Sequence, residues 1–124
     1  MKLISIFLCC SVVLLAGCQS QATKQTASAL DNESIIQVHS DSGFTFSLKG
    51  ASGPVNFSAD NTSSMTFNDI ESSGTWLTKE DSICMSWAKF RSGSEKCFEV
   101  YDMGNNEYHY YSDGKYTHKY TKTL

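Results

Sequence analysis

The stretch Ser82-Ile83-Cys84-Met85-Ser86-Trp87-Ala88, followed after a short gap by Lys96-Cys97-Phe98-Glu99-Val100-Tyr101-Asp102-Met103, decides how this chain folds. Both runs are rich in β-forming residues and alternate in the way of strands with one buried face. An antiparallel register with Cys84 opposite Cys97 sets Ile83 opposite Phe98 and Met85 opposite Lys96, with Trp87 and Val100 on the same apolar face. The two cysteines then lie on the other face. A disulfide and the hydrophobic pattern thus demand one register, and a slip of one residue would reverse every side chain.

Working outward, turn residues recur at short intervals: Gly50, Gly53-Pro54, Asp60-Asn61, Ser72-Ser73-Gly74, Ser92-Gly93, Gly104-Asn105-Asn106 and Asp113-Gly114. Short runs of Phe, Thr, Val, Ile, Tyr and Trp separate them. The predicted strands are Phe44–Leu48, Val55–Ala59, Met65–Ile70, Gly74–Thr78, Ser82–Ala88, Lys96–Met103, Glu107–Tyr111 and Lys115–Tyr120. The fold class expected is mainly β, an antiparallel meander of about seven or eight strands forming an open barrel or half-barrel. One short helix precedes it, capped by Asp31 or Asn32 and running to Val38, with Ile35, Ile36 and Val38 near one face. Trp76 and Trp87 are expected to be buried.

The chain begins differently. One cation, Lys2, precedes an apolar run from Leu3 to Leu15, and Leu15-Ala16-Gly17-Cys18 closes it. This is the pattern of an export signal, too short for a convincing spanning helix. Those four residues resemble the lipobox of bacterial lipoproteins. The resemblance implies cleavage before Cys18, acylation of its sulfur and new amino terminus, and, because Gln19 is not the Asp of inner-membrane retention, an outer-membrane, periplasm-facing anchor. Residues 1–17 then form the signal peptide, 18–29 the lipidated cysteine and a flexible tether, and 30–124 a disulfide-pinned β domain. Cys9 and Cys10 leave with the signal, so Cys84 and Cys97 remain to form one disulfide.

Gly74-Thr75-Trp76, Cys84-Met85-Ser86-Trp87 and Cys97-Phe98-Glu99-Val100-Tyr101 together resemble a family of small secreted bacterial proteins of unknown function. Its pattern of Gly-x-Trp, Cys-x-x-Trp and Cys-x-x-Val/Tyr covers the second half of the chain. The resemblance implies a disulfide-pinned β domain and transfers no catalytic residue. In size, lipidation and β architecture the chain is also similar to the lipoproteins that inhibit lysozyme, without their inhibitory loop motif.

Charge and motif exclude several chemistries. With 10 Lys and Arg against 13 Asp and Glu, the formal charge is −3, which makes nucleic acid a poor partner. Neither remaining cysteine sits in a Cys-x-x-Cys pair, and no serine sits in a Gly-x-Ser-x-Gly elbow. Nothing asks for a cofactor, and no enzyme activity is expected. If Asp113-Gly114 forms a two-residue hairpin turn, His109 faces His118 and Tyr111 faces Tyr116. Tyr108, Tyr110, Thr117 and Lys119 then share the other face. The four paired residues make a candidate recognition surface, and His109, His118 and Glu107 a candidate metal set whose simpler reading is a solvated aromatic ladder. Lys115, Lys119 and Lys122 read as protection of a sheet edge.

The function expected is a membrane-anchored envelope lipoprotein serving as a non-catalytic binding or envelope-maintenance module. Its partners are the membrane, through the lipid, and an envelope protein or glycan. Two alternatives stand beside it. An inhibitor of a cell-wall-degrading enzyme would present a loop at Ser92–Glu95 or Asp60–Ser64, and a small-ligand carrier would enclose an unfilled apolar interior.

Overall fold

The computed structural model describes residues 28–123. The signal segment, Cys18 and the tether to residue 27 lie outside the described residues. Helix α1 spans Asn32–His39, and Asp31 caps it by accepting from the Ser34 N–H at 2.9 Å. Eight strands follow: β1 Ser42–Leu48, β2 Ala51–Phe57, β3 Thr62–Phe67, β4 Ile70–Lys79, β5 Ser82–Trp87, β6 Lys96–Gly104, β7 Glu107–Ser112 and β8 Lys115–Lys122. Each pairs antiparallel with the next, and β8 returns to β1, so the meander closes into a barrel. Closure leaves no edge for the lysines of β8 to protect. Lys122 instead donates to the Val38 carbonyl at 3.1 Å, and Lys119 lies 3.8 Å from Glu107.

Five of the reversals are two-residue turns with both central residues at positive φ: Lys49-Gly50, Asn68-Asp69, Glu80-Asp81, Asn105-Asn106 and Asp113-Gly114. That conformation matches the right-handed twist of paired strands, and Asn, Asp and Gly tolerate it best. Asn68-Asp69 splits what the sequence suggested was one strand from Met65 to Ile70. Conversely, Gly53-Pro54 and Ser72-Ser73-Gly74 are not turns but lie within β2 and β4. Those glycines serve close packing. A Cβ on Gly53 would sit 1.8 Å from the Thr66 carbonyl oxygen, and one on Gly74 would meet the Ser86 carbonyl oxygen at 2.3 Å and the Trp87 ring at 2.8 Å.

The register of β5 on β6 is as the cysteines demanded. Ile83 faces Phe98, Cys84 faces Cys97 in a disulfide, and Met85 faces Lys96. Trp76 and Trp87 are both buried. Trp76 also donates its indole N–H to the Ser58 carbonyl at 3.0 Å, which satisfies its one polar atom inside the core.

Helix α1 closes one end of the barrel. Its buried residues are Ile35 and His39, one turn apart, whereas Ile36 is exposed. His39 is the side chain that enters the interior, with its ring 5.1–6.0 Å from those of Phe44, Phe57, Trp76 and Tyr110. Its Nδ1 lies 2.8 Å from the Ile35 carbonyl and its Nε2 2.8 Å from the Tyr110 hydroxyl. Nδ1–H donates to the carbonyl, so Nε2 accepts from the tyrosine, and a fully buried neutral imidazole has both nitrogens satisfied. Asn32 and Asp81 exchange side-chain to backbone hydrogen bonds at 2.7 and 2.9 Å, which ties the helix start to the β4–β5 turn.

Closing the loop between Cys84 and Cys97 contributes about 3 kcal/mol by the chain-entropy account. Replacing both cysteines with alanine is therefore expected to lower the unfolding free energy by about 2–5 kcal/mol in urea titration. An unchanged midpoint would show that the bond adds nothing to the register the core already imposes.

Candidate functional site

The end of the barrel opposite α1 is not plugged by a helix. Between the β1–β2, β3–β4 and β7–β8 turns and the β5–β6 connection lies a cavity of about 250 Å³. Its walls are mainly apolar, formed by Phe46, Leu48, Met65, Phe67, Trp87 and Phe90. An eight-stranded barrel is just wide enough to be filled by its own side chains or to hold one small ligand. Here both solutions occur in one barrel. Aromatic residues and His39 fill the helix end, and the far end retains space.

Polar groups enter this cavity from β8, β6 and the β5–β6 connection. Lys96 faces inward because the register places it opposite Met85. Arg91 begins a short 3-10 turn, Arg91–Gly93, in which Arg91, Ser92 and Gly93 have φ of 54°, 54° and 75°. His118 lines the cavity with only 9% of its surface exposed. Its ring stacks on Tyr110 with centroids 4.8 Å apart and planes 3° apart. The Thr117 hydroxyl donates to the Tyr110 carbonyl at 3.0 Å and lies 2.8 Å from His118 Nδ1. With that hydroxyl proton committed, Nδ1–H donates to Thr117, which leaves Nε2 as a bare acceptor. Among the described residues, Nε2 has no hydrogen-bond partner. Burial first, then the positive charges of Arg91 and Lys96, holds His118 down to about 3.

Sequence reasoning placed His118 elsewhere. The Asp113-Gly114 turn does pair Tyr111 with Tyr116, but Thr117 is an extra residue in β8, and beyond it Tyr110 faces His118 and His109 faces Lys119. This bulge turns His118 and Tyr120 into the barrel with Tyr108 and Tyr110. His109 does not face His118, and Lys119 does not share a face with Tyr108 and Tyr110. His109 and His118 lie on opposite faces of the sheet, so with Glu107 they do not form one coordination sphere. Among the described residues, the one close group of metal-ligating types is Cys84, Glu95 and Cys97, whose two sulfurs are joined to each other.

The outer face of β6, β7 and β8 carries the rest of the suggested recognition surface. Tyr101 lies 5.0 Å from Tyr111, Tyr111 5.8 Å from Tyr116, and Tyr116 5.2 Å from His109, by ring centroids. His109 Nε2 lies 2.6 Å from Glu107 Oε2, and this hydrogen bond, with Lys119 nearby, lowers the Glu107 carboxyl below its ordinary range. His39, which no motif singles out, is the most deeply buried of the three histidines. An i, i+4 pairing with Ile35 was the available signal. No known protein-family model matches the chain, and no curated protein is detectably similar to it.

Both interior histidines make stability depend on pH. Burial holds His39 down to about 4, whereas an unfolded imidazole takes up its proton near 6.5. The unfolded chain thus binds more protons below that value, and stability falls as pH is lowered from about 6.5 toward about 4 for His39 and about 3 for His118. From pH 7 to pH 5 each imidazole forfeits about 2 kcal/mol. Urea midpoints are expected to drop over that interval, with roughly half the loss removed by His118→Phe. A flat profile in the wild type would show that these rings are not held neutral.

Proposed function

We propose that this chain is an envelope lipoprotein, tethered through Cys18, that binds a small apolar ligand without transforming it. One observation carries the reading: a closed barrel, plugged by α1 at one end, that keeps an apolar cavity of about 250 Å³ at the other. This volume lies just under the range of about 300–1,000 Å³ typical of drug-sized pockets, so the ligand is small or enters by one end. A few polar groups in an apolar wall are what orients a ligand in such sites. Here those groups are Arg91, Lys96, Thr117 and His118. The lipobox at Leu15–Cys18 supports the tether, and the disulfide suits an oxidising compartment. The tyrosines outside β6–β8 remain the candidate surface for an envelope partner.

Two measurements test the proposal. Metabolic palmitate labelling is expected to mark the wild type and to be lost in Cys18→Ser; label retained in that variant removes the tether. The uncharged dye N-phenyl-1-naphthylamine is expected to bind the full chain carrying Cys18→Ser with enhanced fluorescence. Filling the cavity by Leu48→Trp should abolish that enhancement while the near-ultraviolet circular dichroism stays that of a folded domain. Equal enhancement in both proteins would place the dye elsewhere and overturn the carrier reading.

A further inference from the structure

Phe98 gathers three basic side chains at the mouth of the cavity. Arg91 Cζ lies 5.8 Å and Lys96 Nζ 5.7 Å from its ring centroid, and the His118 ring meets it edge-on at 5.0 Å. Among the described residues neither Arg91 nor Lys96 forms an ion pair, whereas the adjacent Glu95 is engaged by Lys79 at 3.7 Å. The nearest carboxylate in sequence is therefore turned to another cation. Lys96 is half-buried on the inward face beside Phe98, where an uncompensated charge loses hydration. Cation–π contact with Phe98 offsets part of that cost. Arg91 and Ser92 hold left-handed backbone, a conformation unfavourable to residues with a Cβ. The turn that carries Arg91 to this mouth is kept against that strain.

Two cations converge on one corner, and the remaining walls are apolar apart from Thr117 and His118. We infer that the cavity takes a small anionic amphiphile, a monocarboxylate with an unbranched or aromatic apolar body, whose head group sits between Arg91 and Lys96 and whose body lies among Phe46, Met65, Phe67 and Trp87. This assignment rests on the carrier reading and deepens it. Guanidinium and ammonium donors bind a carboxylate through charge-assisted hydrogen bonds, which are the strong ones. The positive field also explains selectivity. A neutral alcohol of equal length gains the same apolar burial without the head-group contact, and a cationic amphiphile meets repulsion.

Calorimetric titration of the full chain carrying Cys18→Ser distinguishes these cases, with decanoate, decan-1-ol and decyltrimethylammonium as probes below their micelle concentrations. Decanoate is expected to bind at least about tenfold more tightly than decanol, and the cationic amphiphile most weakly. Replacing the pair by Arg91→Gln with Lys96→Gln should remove the preference for decanoate, and the charge-preserving Arg91→Lys with Lys96→Arg should restore most of it. Equal affinities for decanoate and decanol in the starting protein would overturn the anionic head-group site while leaving a neutral-ligand carrier standing. Failure of all three probes together with the uncharged dye would instead remove the carrier reading itself, and this inference with it.

Discussion

The width of an eight-stranded barrel is the constraint on which the rest of this structure depends. Strand number and tilt set an interior that a single layer of large side chains can just occupy. Whatever occupies each end therefore decides whether the barrel is a solid core or a container. At one end α1 delivers Ile35 and His39 into an aromatic shell, and the Tyr110 hydroxyl and Ile35 carbonyl satisfy both nitrogens of the buried ring. That end is solid. The hydrogen-bonded imidazole is tolerable inside because it is neutral, and burial keeps it so.

At the other end aromatic side chains line the barrel without filling it. Tyr110 stacks on His118 with Tyr120 tilted beside it, and beyond them Phe67 lies 5.1 Å from Phe46 and 6.5 Å from Phe90 by ring centroids, with space left among these walls. Polar groups near that space are few and all basic or neutral: Arg91, Lys96, His118 and Thr117. Packing density in protein interiors normally leaves little room of this size, which is the physical ground for proposing a ligand there.

Thr117 links the two faces of the C-terminal hairpin. As the extra residue of β8 it sends His118 and Tyr120 inward and keeps Tyr116 outside. Without this bulge His118 would join His109 on the exterior instead of packing on Tyr110 inside the barrel. The bulge is stabilised locally, because the Thr117 hydroxyl binds both the Tyr110 carbonyl and His118 Nδ1. A single inserted residue thus separates a solvent-facing tyrosine ladder from an interior acceptor.

Much of this was legible in the amino-acid sequence because it rests on short-range signals. The β meander, the helix before it, the Cys84–Cys97 pair and the burial of Trp76 and Trp87 follow from alternation, turn residues and one self-consistent register. That register even placed Lys96 opposite Met85, on the apolar side. What the sequence could not decide was closure, since the pairing of β8 with β1 joins the two ends of the meander and leaves no local mark. Nor could it decide the identity of Gly53 and Gly74 as packing residues, which depends on the carbonyls of neighbouring strands. The bulge at Thr117 changes the period by one in a strand where Tyr, Thr, His and Lys fit either face, so no hydrophobic pattern opposed the regular pairing. By itself the sequence determined the antiparallel meander, though not every strand boundary, and how the central hairpin pairs, because those are set by residues close in the chain. Only the tertiary structure decided which side chains share the interior and how much space they leave, because that is set by the diameter at which eight strands close.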